Sequence, residues 1–188
     1  MKGVPHVPAL RPASSRALRA AASSAAGESG AEGAQVAENP TAFAPVLVRD
    51  DARNCSVCRF RTRVRYAETD RMGIAYNAHY LAWFEMGRTE LMRCSGMSYR
   101  TIEERGVLLP LVAADLKLRM PIAYDDVITI ESWIGKMRSR TVTFAYRIYR
   151  DAQLAAEGST THACVASGKN ETVVLPDWLL AHLMPLAS

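Results

Sequence analysis

What the chain lacks narrows its possibilities first. None of its 188 residues falls in a run approaching the ~18–20 uninterrupted apolar positions that a membrane-spanning helix needs. Cysteine is scarce, and Cys55, Cys58, Cys94 and Cys164 are too few and too scattered for a secreted disulfide framework. Cys55-x-x-Cys58 has no second cysteine or histidine pair nearby, as a zinc site requires, and no βαβ pattern follows it, as a redox motif requires. The thiols therefore read as inert and the compartment as reducing, which points to the cytoplasm. Histidine is equally sparse: His6 and His182 lie near the two ends, leaving His79 and His162. There is no G-x-S-x-G, no G-x-G-x-x-G, no G-x-x-x-x-G-K-[ST] and no H-E-x-x-H. A hydrolytic triad and a zinc hydrolase are thereby disfavoured, and no metal or redox cofactor is expected. Charge of one sign is lacking too, since 23 Lys+Arg stand against 19 Asp+Glu for a net +4. That balance suits an anionic small ligand and gives no argument for nucleic acid.

What is present is the composition of a soluble globular domain, 49 % apolar and 22 % charged. Residues 1–50 stand apart, because Ala, Gly, Ser and Pro fill 27 of those 50 positions. Such a segment buries too little surface to offset its ordering entropy, so 1–50 is expected to be a disordered extension ahead of a 51–188 domain. Before Glu28 it carries Lys2, Arg11, Arg16 and Arg19 and no acid. That pattern resembles an organelle transit peptide, with a low-complexity extension as the plainer alternative.

Regular patterning begins at Arg59. Phe60, Val64 and Tyr66 alternate with arginines as in a half-buried strand. Tyr80 to Cys94 reads as a helix apolar over most of its circumference, hence central and buried, with Gly96 at its C-terminal stop. A short helical piece spans Ser98–Glu104. Val112–Met120, Val127–Gly135, Arg140–Arg150 and Leu154–Val165 then alternate as strands joined by short links, which means antiparallel hairpins. One or two helical turns follow at Pro176–Leu183. The expected fold class is α+β, a curved antiparallel sheet of about five strands around one long helix. One helix cannot cover both sheet faces, so a homo-oligomer is expected.

The chemistry concentrates in Tyr66-Ala-Glu68-Thr69-Asp70-Arg71-Met72-Gly73-Ile74-Ala75-Tyr76-Asn77-Ala78-His79-Tyr80. Asp70 lies just before a buried helix, whose N-terminus offers unpaired N–H groups and a partial positive charge able to hold an anion or an oxyanion. The plainer alternative is that Asp70 caps a turn and Asn77 caps the helix.

This segment, followed by Trp83-Phe84-Glu85-Met86-Gly87-Arg88-Thr89-Glu90-Leu91, resembles the hot-dog-fold acyl-CoA thioesterases. The branch is the one containing 4-hydroxybenzoyl-CoA thioesterase and the Tol-Pal-associated thioesterases. The similarity runs from about Arg61 to Leu180 and includes Ser139-Arg140-Thr141, Phe144-x-Tyr146 and Leu175-Pro176-Asp177-Trp178. It implies hydrolysis of an acyl-CoA thioester without cofactor, in a homodimer or homotetramer with sites at subunit interfaces. Asp70 matches the family's catalytic aspartate, acting as nucleophile or general base, and the oxyanion donor falls at the Asn77 backbone N–H. Many members carry His where Asn77 stands and Asn where His79 stands; the exchange leaves Asp70 in place and argues against His79 as a base. The resemblance puts Tyr76, His79 and Tyr80 beside the substrate, and Arg138, Ser139, Arg140 and Lys169 at the CoA phosphates. Two other functions share such a pocket: a non-catalytic acyl-CoA or acyl-carrier-protein binding module, and a hot-dog hydratase or dehydratase.

Overall fold

The computed structural model describes residues 43–187 apart from Asn170. Strands β1 (Val46–Asp50) and β2 (Cys55–Arg63) form a hairpin, followed by a 3-10 turn at Tyr66–Glu68 and the long helix α1 (Asn77–Cys94). Then come α2 (Tyr99–Glu104), β3 (Val107–Leu108), β4 (Leu111–Leu118), β5 (Val127–Arg138), β6 (Thr141–Arg150) and β7 (Gln153–Ala163). The two-residue strands β8 (Val165–Ala166) and β9 (Glu171–Thr172) and helix α3 (Asp177–Ala187) complete the chain. The main sheet has six antiparallel strands in the order β1-β2-β5-β6-β7-β4, and β3, β8 and β9 make a small second sheet.

Alternation decides which side of each strand meets α1. Val142, Phe144, Tyr146 and Ile148 of β6 and Ile128, Ile130, Ser132 and Ile134 of β5 are buried, while their neighbours in sequence are not all so. Against them α1 sets Tyr80, Trp83, Phe84, Gly87, Leu91 and Met92. Phe84 stacks on Tyr146 with ring centroids 4.3 Å apart. The Ser132 hydroxyl donates to the Gly87 carbonyl at 2.7 Å, joining helix to sheet. Gly158 is required by this packing: a Cβ there would lie 2.2 Å from the Asp115 carbonyl oxygen and 2.8 Å from the Phe84 ring. Leu179, Leu183 and Leu186 of α3 are buried in the same core, where α3 lies over β2 and β5.

Several expectations are corrected. The segment 1–50 was expected to lack structure, yet Val46–Asp50 pairs antiparallel with β2, from Val46 opposite Arg59 to Asp50 opposite Cys55. The rest of that expectation and the transit-peptide reading, residues 1–42, lie outside the described residues. The sheet has six strands rather than about five, because β1 was hidden in a composition that favours disorder. Helix α1 starts at Asn77 and is not buried all round: Asn77, Ala78, Leu81, Ala82 and Glu85 are exposed, and the last three share a cavity with Leu111 of β4. Strand β4 is the sheet's open edge, with Leu111 51 %, Val112 57 % and Leu118 51 % exposed. Cys58 and Cys94 are free thiols 4.0 Å apart, and burial pushes the Cys58 thiol up, as expected of an inert sulfur.

A polar chain crosses the core under β4. The Tyr146 hydroxyl meets Thr160 at 2.6 Å, Thr160 meets His162 Nε2 at 3.0 Å, and His162 Nδ1 lies 2.9 Å from the Leu109 carbonyl oxygen. The carbonyl can only accept, so Nδ1 carries the proton, Nε2 accepts from Thr160, and Thr160 accepts from Tyr146. Burial, reinforced by Arg88, lowers the His162 pKa to about 4 against the upward pull of the Leu109 bond. As pH falls from 6.5 towards 4, the unfolded chain therefore binds a proton that the folded chain refuses, and stability declines by up to about 3 kcal/mol. Urea midpoints measured across this window should fall with acid, and His162→Gln should flatten that slope.

Candidate active site

The loop from β2 to α1 is pinned at both ends. Val64 N–H donates to the Asp126 carbonyl and Asp125 N–H to the Val64 carbonyl, joining the end of β2 to the start of β5. Asp70 and Ile74 close a turn, with Asp70 N–H donating to the Ile74 carbonyl and Gly73 N–H to the Asp70 carbonyl, both at 2.9 Å. Gly73 has φ +77°, a conformation that favours glycine. Ala75 N–H then donates to the Ile122 carbonyl and Tyr76 N–H to the Glu68 carbonyl, which seats the first turn of α1.

Within this loop Asp70 is half-buried, and its Oδ1 accepts from Met72 N–H at 2.7 Å. Turn capping thus occupies one carboxylate oxygen and fixes the direction of the other. A cavity of about 620 Å³ opens here, lined by Tyr66, Thr69, Asp70, Arg71, Gly73 and Tyr124. Tyr66 and Tyr124 meet edge to face at its rim, ring centroids 5.6 Å apart. Asn77 is not a helix cap; Tyr76 holds that position, and its side chain makes no capping bond. Asn77 is the first residue of an 18-residue helix. Among the described residues the amides of Asn77 and Ala78 make no backbone hydrogen bond, whereas Tyr76 and His79 do. Two donors at the positive end of the helix are therefore free for an oxyanion.

The other expected residues divide between two places. Tyr76 is exposed, next to Asn77, with the half-buried His79 ring edge-on to it at 6.3 Å. Tyr80 is 2 % exposed and packs edge to face on Trp83 at 4.9 Å, within the core. Arg138, Ser139 and Arg140 sit at the β5–β6 hairpin tip, and Lys169 in the β8–β9 turn. The Cys164 N–H donates to the Arg140 carbonyl and Leu175 N–H to the Ser139 carbonyl, which groups both turns at one end of the sheet. Asp70 is at the other end, beside the start of β5, so the length of β5, roughly 35 Å, separates them. One chain does not bring the basic turns to Asp70.

Glu68 is the residue that sequence reading missed. It is 4 % exposed, and its carboxylate accepts from Arg65 N–H at 2.8 Å, from Arg65 Nη2 at 2.8 Å and from Trp83 Nε1 at 3.3 Å. Its own carbonyl holds the Tyr76 N–H. One residue thus ties the Asp70 loop to the first turn of α1 and to Trp83. Burial alone would raise its pKa, but the bonds from Arg65 and Trp83 outweigh burial and hold it below the usual carboxylate value. The tether is therefore complete at neutral pH and is lost as pH falls through that lowered value. The one signal in sequence was an acid two residues before Asp70. Glu68→Ala should cost about 2–3 kcal/mol, because the Trp83 indole N–H is left buried without an acceptor. Hydrogen exchange should show the Tyr76 amide losing protection in the same variant; unchanged protection there would contradict the tether.

Comparison with known proteins fits this geometry. The model of the Thioesterase-like superfamily matches residues 64–183, a span holding both the Asp70 loop and the basic turns. YneP of Bacillus subtilis, named as a candidate acyl-CoA thioesterase, is 34 % identical over 131 residues, covering 67 % of this chain and 95 % of its own. The acyl-CoA thioester hydrolase YbgC of Escherichia coli O157:H7 is 29 % identical over 129 residues, covering 68 % of this chain and 96 % of its own. Among solved structures, the hypothetical protein TT1821 of Thermus thermophilus superposes with TM-score 0.65 at 33 % identity, covering 68 % of this chain and 98 % of its own. With the helix-wrapping sheet and the loop carboxylate already in place, these matches establish that the chain belongs to the Thioesterase-like superfamily.

Proposed function

We propose that this protein hydrolyses acyl-CoA thioesters to a free acid and CoA. The observation that carries this reading is Asp70, held by one oxygen in a tight turn of the loop that leads into α1, whose first two amides make no backbone hydrogen bond among the described residues. Relatives named as acyl-CoA thioesterases support it. The thioester carbonyl oxygen sits on the Asn77 and Ala78 amides, which stabilise the negative charge that forms when the carbonyl carbon is attacked. Asp70 either takes a proton from the attacking water or attacks directly to form a mixed anhydride that water then opens. In both routes the carbon–sulfur bond breaks and the sulfur leaves with the electron pair, to be protonated as CoA-SH. A hydratase would need a histidine to act on the acyl carbons; both ring nitrogens of His162 are bonded within the core, so His79 is the residue that alternative would have to use.

A homodimer completes the site. The unpaired edge of β4, exposed along its length and carrying Leu111, Val112 and Leu118 with Asp115 and Lys117 between them, is a template for another strand. Antiparallel pairing of β4 with β4 of a second copy would continue the sheet across a two-fold axis. The Leu118 end of β4 leads into the Ile122 carbonyl that holds Ala75, and its Leu111 end pairs with His162 near the basic turns. The two-fold therefore carries the partner's basic tip towards Asp70. Arg138, Arg140 and Lys169 would serve the CoA phosphates of the partner's substrate, with Ser139 fixing the turn and Tyr76 and His79 at the pocket entrance. The outer sheet face, where Trp133 lies under Arg53 at 4.7 Å, is where two dimers would join into a tetramer. The four free thiols suit the cytoplasm.

Asp70→Asn tests the chemistry. The Met72 N–H bond survives on the amide oxygen, so stability should change by about 1 kcal/mol or less. Turnover of acyl-CoA should fall by about 10²- to 10⁴-fold with binding retained, as for loss of a general base. Turnover within a few-fold of the parent would reduce Asp70 to a turn cap, and a parent that binds acyl-CoA without hydrolysing it would be a binding module.

A further inference from the structure

Beyond Asn77 the exposed row of α1 continues as Leu81, Ala82, Glu85 and the half-buried Arg88. A cavity of about 250 Å³ opens between these residues and Leu111, Thr160 and His162. A second, of about 450 Å³, shares Glu85 and Arg88 and extends to Tyr99 and Leu109. Arg88 therefore stands where the two meet. The helix rises about 16 Å from Asn77 to Arg88, and a helical side chain leans back towards the N-terminus. The guanidinium thus lies roughly 10–12 Å along the helix from the free amides. An acyl group that places its carbonyl oxygen on those amides and follows this face ends at Arg88.

Two of the polar side chains lining these cavities are satisfied within the fold. Thr160 and His162 are bonded within the chain that runs from Tyr146 to the Leu109 carbonyl and have no donor to spare. Two groups differ. Arg88 stacks on the Tyr99 ring at 4.3 Å and lies 6.0 Å from that of Phe144, yet it pairs with no carboxylate among the described residues. Glu85, one turn earlier on the same helix, is exposed and does not close on it. Among the described residues the buried Tyr99 hydroxyl has no acceptor, and the side chain beside it is the donor Arg88. Burial pushes the Tyr99 pKa up to about 12 against the influence of Arg88, so it stays a proton donor. Neither donor has a carboxylate partner among the described residues, and the aromatic stack holds the guanidinium in a fixed place.

We propose that Arg88 and the Tyr99 hydroxyl receive a carboxylate at the far end of the acyl group, so that the preferred substrates are CoA thioesters of dicarboxylic acids. This rests on the hydrolytic reading above and adds the acyl class to it. A planar guanidinium takes a carboxylate through two parallel hydrogen bonds, and a methyl terminus would leave both donors dry and unpaired.

The test compares CoA thioesters of α,ω-dicarboxylic acids with monocarboxylic thioesters of equal chain length, in the full chain and in Arg88→Met and Arg88→Lys. At the best length the dicarboxylic thioester should have the higher kcat/KM by about 10- to 100-fold. Arg88→Met should reduce that ratio at least tenfold, and Arg88→Lys should keep part of it. If Arg88→Met does not fold, the parent's ratio and the lysine variant decide. Clear hydrolysis of both series at equal rates for every length overturns the carboxylate seat and leaves thioester hydrolysis standing. Hydrolysis of neither series overturns the hydrolytic reading and this inference together. A ratio unchanged in Arg88→Met, with a smaller mass by light scattering, marks Arg88 as an interface group and also overturns the seat.

Discussion

Helix α1 lies against the sheet at a distance set by Gly158, where a side chain would strike both the Asp115 carbonyl and the Phe84 ring. That close approach lets Phe84 stack on Tyr146 and lets Ser132 reach the Gly87 carbonyl. Once the helix axis is fixed in this way, its two functional ends are fixed with it. The N-terminus falls beside the Asp70 turn, and one face of the helix, from Asn77 to Arg88, is left running along the open edge at β4.

Charge is then distributed according to what the fold can desolvate. Glu68 is buried because Arg65 and Trp83 meet its carboxylate, and its place between the loop and α1 makes it a tether. Asp70 keeps a carboxylate oxygen directed by a single backbone amide, which suits a group that must react. Arg88 is half-buried and pairs with no carboxylate among the described residues, and the aromatic rings around it hold its position without neutralising it. The three charges lie along one line of structure, from loop to helix start to distal groove.

Much of this was legible in the sequence, and the rest depended on partners far away in the chain. Period-two alternation in 141–150 gave β6, and the apolar density of 80–94 gave α1, because both signals are local. Asp70 stood out by its position before that helix. Strand β1 did not, since Val46–Asp50 follows an Ala- and Pro-rich stretch and its order comes from pairing with β2. The burial of Glu68 was hidden because an acid in a polar loop reads as exposed, and its partner Trp83 lies 15 positions away. The resemblance put Arg138, Arg140 and Asp70 at one substrate without saying which subunit supplies each. The 12 residues of β5 carry the two arginines to the far end of the sheet.

That separation makes the account's central claim measurable, namely that each site takes Asp70 from one subunit and its basic turns from the other. Asp70→Asn alone should be inactive, and the combined variant Arg138→Ala, Arg140→Ala, Lys169→Ala should have a raised KM for acyl-CoA. Mixing the two proteins in equal amounts and allowing subunits to exchange creates dimers with one intact site each. The account predicts that turnover with the parent's KM returns in about a quarter of all sites. A mixture whose activity is only the sum of its two parents would contradict it.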